Sequence, residues 1–118
     1  MDHECTVYKT MDYVSKKWMI LIMLELYKGE EWKRFSAIRD SMKEITPKVL
    51  SERLKELEAE GLVENKVYVD SFPIRSEYRL TESGIELMDV VRSLKHWALK
   101  WKIDNKPCGN QSCKVCIL

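Results

Sequence analysis

The stretch Ile45-Thr46-Pro47-Lys48-Val49-Leu50-Ser51-Glu52-Arg53-Leu54-Lys55-Glu56-Leu57-Glu58-Ala59-Glu60-Gly61 carries its own start and stop signals. Thr46 suits an N-cap, because its hydroxyl can accept from a backbone N–H that the first helical turn leaves unpaired. Pro47 suits the first helical position, where a missing N–H costs nothing. Leu50, Leu54 and Leu57 then share one stripe, and Gly61 ends the run. The spacing predicts a helix over 47–60, apolar on one face. Opposite the leucines stand Lys48, Ser51, Glu52 and Lys55, with Arg53 at their flank.

Upstream, Ser36 can cap a short helix to about Met42, and Trp32 to Phe35 reads as extended. Lys17 to Lys28 is apolar on nearly every side, which predicts a helix central to the core, with Gly29 at its C-terminal end. Val7, Met11 and Val14 predict a short amphipathic helix over 6–14. Downstream, Leu62 to Val69 is rich in Val and Tyr and reads as a strand. Asp70-Ser71-Phe72-Pro73 is a turn. Ile74 to Leu80 alternates and closes a hairpin, with Arg75, Glu77 and Arg79 on its outward face. Thr81 caps a last helix to about Ile103, whose Leu87, Val91, Leu94, Ala98 and Trp101 form a two-helix seam.

The fold expected is mainly α with a small β-hairpin, a winged helix-turn-helix. Residues 1–104 form the domain, and residues 105–118 a Cys-bearing C-terminal tail. In such a fold the helix from Pro47 is the one that enters a major groove of double-stranded DNA. Lys48, Ser51, Glu52 and Lys55 are then the candidate base readers. Thr46 and Arg53 are candidates for the backbone, and Arg75 for the groove beside the wing. The acids Glu56, Glu58 and Glu60 crowd the other end of the helix.

Composition allows this without demanding it. The chain of 118 residues is 45% hydrophobic and 33% charged, enough to bury a core and stay soluble. Its net charge is +1, from 20 Lys and Arg against 19 Asp and Glu, so no basic coat draws it to nucleic acid. Binding must rest on geometry and local charge. The longest uncharged apolar run, Trp18 to Leu24, is far short of the roughly 20 residues a membrane span needs. Met1-Asp2-His3-Glu4 is acidic and does not read as a signal peptide, so a cytoplasmic protein is expected. No Gly-rich phosphate loop, His-Glu-x-x-His or serine elbow points to an enzyme. The alternatives are a small dimeric protein-interaction module, or a thiol oxidoreductase using Cys113-Lys114-Val115-Cys116. The second is disfavoured because that motif belongs at a helix start, not in a tail.

Four motifs in order resemble the HxlR family of winged-helix transcriptional regulators. They are Lys17-Trp18, Arg34-Phe35-Ser36, the run Leu50 to Val63, and Arg75-Ser76-Glu77-Tyr78-Arg79-Leu80-Thr81. Cys5 also matches a cysteine common near the start of that family. The resemblance covers about residues 5–101. It implies a homodimeric regulator on a pseudo-palindromic operator, dimerising through the first and last helices. It also implies that Cys5 can act as a thiol redox sensor, as in some members. Ser15-Lys16 stands where the family often has a Gly pair, and the three-cysteine tail is not a usual family feature.

The cysteines admit three readings. Cys5, Cys108, Cys113 and Cys116 could ligate zinc, or an iron–sulfur cluster, since the tail spacing Cys-x4-Cys-x2-Cys is compatible with both. They could instead form a thiol switch joining the two ends of the chain, or be inert.

Overall fold

The computed structural model describes residues 1–114. The element order is α1 (Thr6–Val14), α2 (Met19–Tyr27), β1 (Lys33–Arg34), α3 (Phe35–Ser41), α4 (Pro47–Ala59), β2 (Val63–Tyr68), β3 (Arg75–Leu80), α5 (Glu82–Trp101) and α6 (Lys106–Gly109). The expected winged helix-turn-helix is present: α3 and α4 form the two-helix unit, and β2 and β3 the wing.

The boundaries of α4 follow from the local chemistry. The Thr46 hydroxyl accepts from the Val49 N–H at 3.2 Å, and Pro47 opens the helix. Gly61 leaves it with φ +74°, a conformation that favours glycine. Thr81 caps α5 in the same way, its hydroxyl accepting from Gly84 N–H at 3.2 Å. Gly84 itself is a packing requirement: a Cβ there would collide with the Leu62 carbonyl.

Ile22 and Met23 of α2, Ile38 of α3, Leu50, Leu54 and Leu57 of α4, and Met88 of α5 are fully buried together. Residues of four helices thus meet in one core, which fixes α4 with its leucines inward and its polar face out.

Several expectations need correction. The helix expected from Lys17 begins at Met19, because Trp18 sits at φ 80° and breaks the run. Ser36 does not cap α3: β1 runs straight into the helix, and Arg34 holds the N-cap position with no side-chain bond. The extended stretch expected at Trp32–Phe35 is present as β1, and it joins the hairpin as a third strand. β1 pairs antiparallel with β3, Lys33 opposite Tyr78 and Arg34 opposite Glu77, so β3 is the central strand. The hairpin register places Lys66 opposite Glu77 and Glu64 opposite Arg79.

The expected seam on α5 divides between two faces of the helix, with Leu94 and Trp101 exposed. Leu87 and Val91 pack against the chain's own core. Val90, Leu94, Trp97 and Trp101 instead form a stripe that is 53–65% exposed. Helix α1 carries no buried residue, and its Val7 and Met11 are exposed. The tail is not irregular from its start. Asn105 caps α6 by accepting from Cys108 N–H at 3.2 Å, and Lys95 Nζ holds the Gln111 carbonyl at 2.9 Å.

Candidate nucleic-acid interface

With its leucines sealed, α4 presents Thr46, Lys48, Glu52 and Lys55 to solvent, and Ser51 half-buried beside them. No acidic residue stands in the first turn, so its partial positive charge and the exposed Lys48 make this end of the helix cationic. Toward the other end, Glu56 takes Arg53 Nη1 at 3.0 Å and Lys16 Nζ at 3.2 Å. That carboxylate is neutralised within the fold.

Arg53, expected at the DNA backbone, is engaged inside the protein. Its Nε donates to the Lys17 carbonyl at 3.0 Å while Nη1 holds Glu56.

On the wing, Arg75 lies over the Tyr68 ring at 4.4 Å, with Nε 3.5 Å from Glu77. That Nε is buried and makes no hydrogen bond, so Arg75 is held by the ring and by charge alone. Arg79, read as its outward companion, is occupied. It pairs with Glu31 at 2.5 Å and Glu64 at 2.8 Å and stacks over Trp32 at 4.5 Å. Glu64 and then Glu31 push its pKa up despite partial desolvation, so it stays charged and committed.

The structure adds two cations. Arg34, Arg39 and Arg75 line one open cleft of about 500 Å³ between the start of α3 and the wing tip at Ser71 and Phe72. Arg34 is exposed, and Arg39 Nε lies 3.3 Å from Asp40. The helix that precedes a recognition helix crosses the DNA backbone. The motif Arg34-Phe35-Ser36 at that point was the available signal for Arg34.

Cys5 is the N-cap residue of α1 and is half-buried. Cys108 and Cys113 line a different cleft, against α2 and the end of α3. Among the described residues, no three His, Cys, Asp or Glu side chains gather as a metal cluster. Cys116 lies outside the described residues, as does part of the Cys113–Cys116 motif.

A buried-leucine helix with a cationic N-terminal half, flanked by a two-stranded wing within a three-stranded sheet, defines a winged helix-turn-helix protein. A family model described as HxlR-like helix-turn-helix matches residues 13–106, and the chain belongs to that family. It is 41% identical over 93 residues to the HTH-type transcriptional regulator YvaP of Bacillus subtilis, covering 79% of this chain and 83% of that one. Among solved structures, the reduced form of the B. subtilis regulator YodB superposes with a TM-score of 0.72 at 33% identity, covering 86% of this chain and 98% of that one. The redox regulator HypR in its oxidised form gives 0.70 at 34% identity, covering 84% and 99%. Among the described residues, no helix is long and apolar enough to cross a membrane.

Proposed function

We propose that this chain is a cytoplasmic, sequence-specific transcriptional regulator that binds double-stranded DNA as a homodimer. The observation that carries this reading is the orientation of α4. Leu50, Leu54 and Leu57 are 0% exposed, while Lys48, Glu52 and Lys55 face solvent. In this reading Lys48, Ser51, Glu52 and Lys55 contact base edges. Thr46, Arg34 and Arg75 contact the phosphate backbone, and Arg53 positions the helix.

Homodimerisation is supported by two unpartnered apolar surfaces. The stripe Val90, Leu94, Trp97 and Trp101 on α5 and the exposed Val7 and Met11 of α1 are the surfaces a twofold pair would cover. Two copies would then hold two α4 helices about 34 Å apart, one turn of duplex. Cys5 is the candidate redox thiol. Two solved relatives support it, one described as a redox regulator in its oxidised form, another as a reduced form.

The test is selection of a duplex from a random pool, followed by fluorescence anisotropy across a salt series. The expected result is a palindromic consensus bound by two chains. Affinity should fall by about 0.9 log unit per log unit of salt for each phosphate contact. Enrichment of no sequence would refute the reading.

A further inference from the structure

The tail that the DNA-binding reading does not use lines one side of an open cleft of about 580 Å³. Trp18, Leu21, Leu24 and Met42 give it an apolar wall, and Cys108 and Cys113 line it from the tail. The tail is tethered at that point. Gly29 N–H donates to the Lys114 carbonyl at 3.2 Å, Lys95 Nζ holds the Gln111 carbonyl, and the same Nζ lies 3.8 Å from Cys113 Sγ. Both thiols are free.

We propose that Cys108 and Cys113 bind a soft monovalent d10 cation, copper(I), with the Met42 thioether as a neighbouring donor. Thiolates and thioethers select soft ions. A structural zinc site needs four ligands and a cysteine-held iron–sulfur cluster four cysteines. Among the described residues no such set gathers. Copper(I) is satisfied by two thiolates.

Binding releases one proton from each thiol and forms two sulfur–copper bonds, with no change of oxidation state. The resulting bis-thiolate complex carries one negative charge, and the Lys95 ammonium faces it. Glu25, Asp40 and Glu44 on the cleft wall are offset by Lys28 and Lys43, and Glu25 is already 3.7 Å from Lys33. Cys5 does not line this cleft, so the site is separate from the redox candidate.

The test is anaerobic titration of the full reduced chain with copper(I) against the chromophoric competitor bicinchoninate. One ion per chain is expected, with a thiolate-to-copper absorption band. Ligand loss should exceed the effect of losing a supporting residue, so C108S and C113S should each weaken binding by more than about 100-fold. M42L should weaken it less, and C5S not at all. Independently of any variant, copper(I) should protect the tryptic peptide 103–114, which carries both cysteines, from iodoacetamide. Failure to retain the ion would overturn the proposal. So would binding that survives both serine variants, or that depends on Cys5 or Cys116 instead.

Discussion

Arg53 donates from Nε to the carbonyl of Lys17 at 3.0 Å, and so fastens the outward helix α4 to the turn that leads into α2. That turn contains Trp18 at φ 80°, a conformation costly for a bulky residue. The contact holds the strained backbone and α4 to each other. Replacing Arg53 by Ala should lower unfolding stability by about 2 kcal/mol, the loss of a partly buried charged hydrogen bond. The salt dependence of DNA binding should stay as in the parent. A slope smaller by about one would instead place Arg53 on a phosphate.

Lys48 and Arg75 should behave differently. Both can be removed without disturbing the core, since Lys48 is exposed and Arg75 contacts the Tyr68 ring and the Glu77 carboxylate, neither of them in the buried core. Lys48→Ala should cost about 1–3 kcal/mol in binding and relax the preference at one base pair. Arg75→Ala should weaken all sequences alike and reduce the salt slope by about one. Anisotropy titrations on the selected duplex and on a scrambled one separate the two. Parent-like affinity in both variants would move the interface off this face.

Most of what the sequence showed was local, though Ser36, a local cap candidate, is passed over because β1 runs straight into α3. Thr46, Pro47, Gly61 and Thr81 act on their own neighbours, and the structure keeps each in the role its chemistry predicts. The extended stretch at Trp32–Phe35 was legible, but its place in the sheet was not, because the two residues Lys33–Arg34 show no alternation from which to infer their pairing with β3. Arg53 and Arg79 looked like free charges because their partners, Lys17 and Glu31, are 36 and 48 residues away. On α5, apolar residues lie on two sides of the helix. Periodicity finds both stripes but cannot say which one faces the chain's own core. The candidate interface followed the same rule: Lys48 and Lys55 were legible from helical phase, whereas the cleft joining Arg34 and Arg39 to Arg75 needed tertiary structure.

The exposed α5 stripe gives the next expectation. Leu94 is 62% and Trp97 53% exposed, an apolar surface with no packing role inside the chain. Leu94→Glu should leave the fold intact, since the residue lies outside the core, and should bury an unpaired charge in any dimer. Sedimentation should show a monomer, with operator affinity down by more than tenfold, because two half-sites can no longer be engaged together. A dimer of parent-like stability would remove α5 from the interface.

Cys5 holds the N-cap position of α1 with no side-chain bond. The helix has no buried residue and touches the core through Tyr13 at its far end, so a covalent change at Cys5 can shift the start of the helix without opening the core. Treatment with diamide should alter the affinity of the parent for the selected duplex. The C5S variant should bind the same with and without oxidant, and dithiothreitol should restore the treated parent. Identical responses of parent and C5S would take Cys5 out of sensing.

Tyr78, on the central strand β3, ties stability to alkaline pH. Burial pushes its hydroxyl pKa above 10.0 and the charge of Glu58 adds to this, while a hydrogen bond with Ser76 opposes it. The fold thus favours the neutral phenol over the phenolate. Its contribution is complete below the unfolded value and is lost as pH rises through the higher folded value. Between about pH 9 and pH 11, the melting temperature of the parent should therefore fall more steeply than that of Tyr78→Phe, which keeps the ring but cannot ionise. The comparison cancels the lysines, which titrate over the same range in both proteins. Parallel curves would mean that the Tyr78 hydroxyl is as free to ionise in the folded chain as in the unfolded one.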